Sequence, residues 1–231
     1  NREKYDRFIC KGGWPFSTFE HGWPIADCTA EGIKSSIKFL HSEVLNDSEK
    51  TIDKERLKDS VDFLLACQNK DGGWATYEPT RGPRWLEKLN AAEVFGDIMI
   101  DYSYAECSST CMQALVKFRD EFNDYKTIEI DTAVKNGNKF LKSIQREDGS
   151  WLGSWAICFT YATWFGVDGL IASGEDTATS SQIKKACEFL LSKQKTDGGW
   201  GEHYQSSVLK KYIDHPQSQI INTAWALLTL M

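Results

Sequence analysis

The sequence has no excess of positive charge, no close cysteine pairs set up to hold a metal, and no long apolar run. Lys and Arg number 27 against 33 Asp and Glu, a formal charge of -6, and no basic cluster stands out. That excludes the electrostatic footprint of a nucleic-acid binder. The four histidines, His21, His41, His203 and His215, are scattered, as are the seven cysteines. Cys107 and Cys111 lie one helical turn apart, but no second ligand pair accompanies them. No zinc site is expected. The odd cysteine count and the lack of a secretory leader point to a reducing compartment. No segment reaches the length of a membrane-spanning helix, which leaves a monotopic contact open. No block alternates as a strand would. The chain lacks an initiator Met and stops in "IINTAWALLTLM", an apolar helical pattern without a stop signal, so the expectation is a fragment.

Aromatic residues are plentiful: nine Trp, eight Tyr and twelve Phe, more rings than ordinary packing asks for. Many Trp belong to a repeat. "FLLACQNKDGGW", "FLKSIQREDGSW" and "FLLSKQKTDGGW" share Q-x-x-x-G-x-W, as Gln68/Gly72/Trp74, Gln145/Gly149/Trp151 and Gln194/Gly198/Trp200. A weaker copy without the Gln, "KGGWPF", begins at Lys11. The spacing between copies is unequal, so this is no strict short-period solenoid.

Each copy follows an amphipathic segment. "DKERLKDSVDFLLACQ" places Leu57, Val61, Leu64 and Leu65 on one stripe. Asp-Gly after it predicts a helix stop with Gly at the C-cap. The Trp is expected to fold back and fasten helices together, outside any cavity. The Gln is expected to hydrogen-bond a neighbouring helix terminus or an indole. Further helices are predicted over 30–45, 105–123, 127–145, 157–174, 179–194 and 217–231, with a turn-rich stretch over 75–104. The chain reads as all-α, an arc of a larger helical barrel.

"ADCTAEG", residues 26–32, carries the chemistry. Asp27 before "CTAEGIKSSIKFL" has the character of an N-cap. Its surroundings, "WPFSTFEHGWPIADCTAE", are rich in rings, and a carboxyl in apolar surroundings keeps its proton. Such a group can act as a general acid toward a weak base. The two roles are compatible. No paired base, Ser-His arrangement or phosphate-cradling Gly loop is evident.

The repeat together with "DCTAE" resembles the 2,3-oxidosqualene cyclases, the sterol and triterpene synthases. So do "EVFGDIMIDYSYAECSSTCMQAL" and "GSWAICFTYATWFG". The resemblance implies a partial (α/α)6-type barrel, the terpenoid cyclase toroid. Residues 1–231 would be an incomplete catalytic domain of a larger two-domain enzyme. It implies that Asp27 protonates the epoxide and that Cys28 and Cys107 hydrogen-bond its carboxyl. Phe16 and Trp155 match aromatics that stabilise cations through the ring quadrupole. Tyr77 matches a Tyr near the late cation. Phe95 and Ile98 match the substrate channel and its constriction. Glu31 reads as a helix-surface residue or one behind the site. No cofactor and no metal is implied, because proton transfer starts the cascade.

The residues before the acid, "HGWPI", resemble cycloartenol-forming cyclases at His21 and Ile25. Lanosterol formers typically carry a smaller Val at the Ile25 position, and β-amyrin-type enzymes a different pair after the Trp. Ala26 stands where Ser is common, and Ala162 where Gly is common. Squalene–hopene-type cyclases carry a second carboxylate where Ile25 sits. A non-enzymatic helical scaffold gives no reason for an acid amid rings, and a helical-barrel glycosidase needs two carboxylates across a groove. The family implies a lipid substrate, no nucleic-acid partner and monotopic contact on the cytosolic face of the endoplasmic reticulum membrane or a lipid droplet. A fragment that supplies only part of the cavity wall is expected to be inactive alone.

Overall fold

The computed structural model describes residues 8–18, 20, 22–44, 52–92, 97–154 and 158–231. Eight α-helices are present among them: α1 Ala26–Leu40, α2 Lys54–Cys67, α3 Ala105–Glu121, α4 Thr127–Ile144, α5 Cys158–Ala172, α6 Ser181–Lys193, α7 Gln205–Leu209 and α8 Ile220–Leu230. A 3-10 helix, Arg84–Leu89, interrupts the predicted turn-rich stretch. Two short strands, β1 Trp14–Pro15 and β2 Pro24–Ile25, pair antiparallel ahead of α1, with Trp14 opposite Ile25. Helix α7 and the strands were not expected from the sequence; both are too short to show a period.

The helices stand in two rows. Successive members of one row, α1, α3, α5 and α8, pack side by side, and α2, α4 and α6 pack behind them. This is an arc of an all-α barrel. The main core runs through both rows and holds Ile33, Val61, Leu64, Met112, Leu115, Phe118, Leu141 and Leu170. On α2 the predicted stripe is buried at Leu57, Val61 and Leu64, while Leu65 is only partly covered.

The three repeats form one structural unit, made three times. In each, the indole Nε1 donates to a carbonyl four residues from the helix end: Trp74 to Leu64 at 2.7 Å, Trp151 to Leu141 at 2.9 Å and Trp200 to Leu190 at 2.7 Å. The last turn of a helix leaves carbonyls without intrahelical donors, and the indole supplies one. The helix therefore ends on an extended Gln, at Gln68, Gln145 and Gln194, and not on Gly. The Gly C-cap expected from the sequence is corrected accordingly. Gly72, Gly149 and Gly198 lie four residues further on, with φ of +92°, +89° and +86°, in the turn that brings the Trp back. Asp71, Asp148 and Asp197 brace that turn by accepting the amide two residues on, at 2.9, 3.0 and 3.0 Å. All three Trp rings are buried, as a fastening role requires.

The Gln amide ties one outer helix to the next. Gln68 Nε2 donates to Gly72 O and to Ala133 O of α4, both at 2.8 Å. Gln145 Nε2 donates to Gly149 O at 3.0 Å and to Gln182 O of α6 at 2.9 Å. A Cβ at Gly72 or Gly149 would meet a carbonyl three residues further along that same helix, Asn136 O at 2.5 Å or Lys185 O at 2.3 Å. Only glycine permits this approach.

The weak copy obeys the same geometry with a different donor. Phe8 occupies the Gln position and packs edge-on against Phe63, 6.5 Å between centroids. Gly12 has φ of +83° and lies against Asp59 O of α2. The two equivalent carbonyls, Gly12 O and Arg56 O, lie 2.7 and 3.0 Å from the Ser60 hydroxyl, which reaches them from α2.

Candidate active site

The inner helices all start at one end of the arc, where the longer loops lie. There Asp27 is the second residue of α1 and is half-buried. It is not the N-cap expected from the sequence: Ile25 holds that position and offers no side-chain cap. The helix start is fixed from outside. The Ala26 amide donates to Thr76 O at 2.7 Å. Thr29 Oγ1 donates to Ile25 O at 2.7 Å and accepts the Trp14 amide at 2.8 Å. With those anchors in place, the Asp27 carboxyl accepts the neighbouring Cys28 N–H at 2.8 Å.

Burial raises the Asp27 carboxyl above the ordinary carboxylate range, and the Cys28 amide opposes the shift without cancelling it. The nearby Glu31 and Asp101 carboxylates push in the same direction as burial. Cys28 is half-buried, and burial followed by the Asp27 charge pushes its thiol up to about 11. Cys107, in the first turn of α3, is buried, with its Sγ 3.7 Å from Thr76 Oγ1. Burial raises its thiol, and the Asp27 charge is the next cause. Both thiols thus sense Asp27, but among the described residues neither donates to its carboxylate. The arrangement is a carboxyl whose protonated form burial favours, with thiols whose own ionisation burial opposes.

The other candidate residues divide. Ile25 is buried opposite Trp14. Phe16 is 79% exposed and lines a surface pocket of about 510 Å³ with Trp23 and Tyr77. Tyr77 is half exposed, its amide held by Asp101 Oδ2 at 2.6 Å. Ile98 is part exposed and follows Asp97, a residue with φ of +54°. His21, Phe95 and Trp155 lie outside the described residues. Glu31 accepts the Thr110 hydroxyl at 3.1 Å and pairs with Lys34 at 2.7 Å, on the partly open side of α1 below Asp27.

Sequence reasoning missed an aromatic cluster. Tyr161 lies 5.0 Å from Phe165 and 4.9 Å from Trp225, and Trp164 stacks at a tilt on Phe165 at 4.6 Å. These rings occupy the less buried side of α5 and the adjoining α8. Burial raises the Tyr161 phenol, and Asp27 is among the charges adding to that. The i, i+4 spacing of Tyr161 and Phe165 was a legible signal; the contribution of Trp225 was not. Sequence reasoning also passed over the buried carboxylates that hold the loops at this end. Glu106 accepts Ser154 N–H at 2.8 Å. Glu202 accepts the amides of Phe159 and Thr160 at the start of α5, at 3.0 and 2.9 Å. Among the described residues no group of three or more His, Cys, Asp or Glu side chains forms a metal-binding set, and no helix is long and apolar enough to cross a membrane. A cavity of about 920 Å³ lies between the first two repeat turns, and Asp27 is not among its lining residues.

A double row of helices tied by Trp turns is the architecture of the terpenoid cyclases. The type II terpene cyclase MstE from Scytonema, in complex with geranylgeranyl dihydroxybenzoate, superposes with a TM-score of 0.61 at 16% identity, over 98% of this chain and 53% of that one. The ent-copalyl diphosphate synthase from Streptomyces platensis gives a TM-score of 0.53 at 15% identity, over 87% of this chain and 34% of that one. The chain belongs to the squalene-hopene cyclase C-terminal domain family, whose model matches residues 3–231. Among curated relatives it is 57% identical to cycloartenol synthase of Dictyostelium discoideum, over 98% of this chain and 32% of that protein. It is 50% identical to lanosterol synthase of Aspergillus fumigatus over 100% of this chain and 30% of that protein, and 48% identical to lanosterol synthase of Mus musculus over 99% and 31%. The chain spans about a third of the length of these relatives.

Proposed function

We propose that this chain supplies the initiating acid and one wall of a 2,3-oxidosqualene cyclase. Asp27 delivers its proton to the epoxide oxygen, the C–O bond to the more substituted carbon opens, and the alkenes close in turn on the migrating positive charge. The observation that carries this reading is the environment of Asp27: half-buried, its carboxyl raised by burial, with two neutral thiols beside it. Burial favours the protonated form of Asp27, the form that can give a proton to a weakly basic epoxide. The ring faces of Tyr161, Phe165 and Trp225 suit the later cations, which a carboxylate or water would quench. An oxidosqualene substrate is favoured over squalene because Ile25, not a second carboxylate, stands two residues before Asp27. Alkenes are weaker bases than epoxides and would call for the stronger acid cluster.

Cycloartenol is the product we propose, supported by the His21 and Ile25 pair and the 57% identity to a cycloartenol synthase. Lanosterol is the second reading, supported by identities of 48% and 50% to lanosterol synthases. We further propose monotopic contact with the endoplasmic reticulum membrane or a lipid droplet, which fractionation of tagged full-length protein would check.

The test is a chimera in which this chain replaces the matching third of the Dictyostelium discoideum cycloartenol synthase, expressed in yeast lacking lanosterol synthase. The expected result is cyclisation of oxidosqualene. Asp27→Asn should lower turnover by at least about a thousandfold, within the range of a general acid, without unfolding the protein. Substantial residual turnover would refute the acid role. Ile25→Val should divert product toward lanosterol or parkeol; an unchanged profile would count against cycloartenol. The isolated 231 residues should not turn over.

A further inference from the structure

We propose that Asp101 is a positioning residue for Asp27, acting through the backbone of Thr76. The inference rests on the functional reading above. Asp101 lies four residues ahead of α3, and its carboxylate gathers three consecutive amides of the loop after Trp74. Thr76 N–H donates to Oδ1 at 3.0 Å, Tyr77 N–H to Oδ2 at 2.6 Å and Glu78 N–H to Oδ2 at 3.4 Å. The Thr80 hydroxyl closes the loop by donating to Asp101 O at 2.7 Å. Three convergent N–H groups need several lone pairs in one place, and an ionised carboxylate offers about four acceptor sites. An asparagine offers one acceptor oxygen and turns an NH2 toward the remaining amides.

The far side of the same loop holds the acid. Thr76 O accepts the amide of Ala26, the residue before Asp27, at 2.7 Å. Thr76 Oγ1 also contacts Cys107 Sγ at 3.7 Å. One residue therefore joins Asp101, the start of α1 and the thiol beside Asp27. The link matters because Ile25 gives α1 no side-chain cap. The first turn of a helix leaves amides to be satisfied from elsewhere, and here the loop that Asp101 holds satisfies the first of them. If the loop shifts, the helix start shifts with it, and a misplaced proton donor loses rate steeply.

A loop brace with no bearing on the acid would lower stability and leave chemistry alone, so the test separates the two. The chimera carries Asp101→Asn, Ala26→Pro or both. Proline at Ala26 removes the amide that bonds Thr76, at the first helical position, where proline is tolerated. The extended Ile25 before it, φ -131° and ψ 149°, suits a following proline. Asp101→Asn should lower kcat about tenfold with KM within about twofold, the pattern of an interaction that acts on the transition state. The double variant should lose no more than about threefold beyond the worse single one, because residues acting through one link are not additive. Multiplying losses would overturn the proposal. If Ala26→Pro does not fold, the Asp101→Asn split decides. A kcat loss at steady KM upholds the role; an unchanged kcat with a lowered Tm, or KM rising in step with the loss, overturns it. A parent chimera without turnover removes the functional reading and this proposal together, whereas an active parent with an indifferent Asp101→Asn removes only the proposal.

Discussion

Replacing Gln145 by methionine keeps the length of the side chain and removes one NH2 that serves two carbonyls. Those are Gly149 O at 3.0 Å and Gln182 O at 2.9 Å, the second on the neighbouring helix α6. Gln182 O lies in the first turn of α6 and Gly149 O in the glycine bend, and the loss is taken as that of two ordinary hydrogen bonds. At roughly 0.5–1.5 kcal/mol each, Gln145→Met should cost about 2 kcal/mol. Gln194 provides the internal control. It sits in the same motif but is exposed, and its bond is to Gly198 O at 2.9 Å, within its own turn. Gln194→Met should cost about 0.5 kcal/mol, at the low end of the same range. Urea unfolding of the 231-residue chain, followed by far-UV circular dichroism, reads the difference as a midpoint shift at constant slope. For a domain of this size, 1 kcal/mol corresponds to about 2–4 °C in Tm, so thermal melts should separate the variants by several degrees. Equal losses at Gln145 and Gln194 would refute the reasoning, since the helix-to-helix bond would then contribute nothing.

Gly198→Ala should cost about 1–2 kcal/mol, the ordinary penalty of a left-handed alanine, because its Cβ would meet nothing within 4 Å. Gly149→Ala should cost clearly more, with the Cβ driven to 2.3 Å from Lys185 O; matching melts for the two would count against close helix contact. Asp168, on α5, is pushed up to about 6, chiefly by burial. Below the unfolded value near 3.8 both states carry the proton; between there and about 6 the folded state holds it more tightly. Stability should therefore fall as pH rises through that window, and Asp168→Asn should flatten the profile in pH-dependent melts. Ser60→Ala should cost about 1 kcal/mol, the value of one hydrogen bond, although Ser60 belongs to no repeat; a neutral result would deny it the role of the missing Gln.

The repeats were legible because their chemistry is local. The Trp-to-carbonyl, Asp-to-amide and Gln-to-Gly bonds all close within ten residues or fewer, so the same letters give the same turn. Where Gly was read as the cap, the mistake lay in which group satisfies the helix end, since an indole arriving from ten residues later can do so as well as a left-handed backbone. Asp27 was misread as an N-cap for a related reason. Its own letters favour that role, but Thr76 and Trp14, both outside the helix, fix the cap two residues earlier, at Ile25. Asp101 was illegible because its partners lie more than twenty residues back in the chain. The ring cluster at Tyr161 needed α8 beside α5, which only packing decides.

The hydroxyl of Ser60 separates what a motif spells from what it accomplishes. At Gln68 and Gln145 the helix-joining donor comes from the segment that precedes the turn; the weak copy borrows one from the helix being fastened. A search keyed to glutamine finds the helix-to-helix joints at Gln68 and Gln145 and misses the one at Ser60. The conserved quantity in this joint is a pair of carbonyls awaiting a proton donor, and the polypeptide is free to answer from either side. Engineers could exchange the donors: Phe8→Gln paired with Ser60→Ala would hand the joint back to the spelling used elsewhere in the chain, at the loss of the packing of Phe8 against Phe63 and the main core.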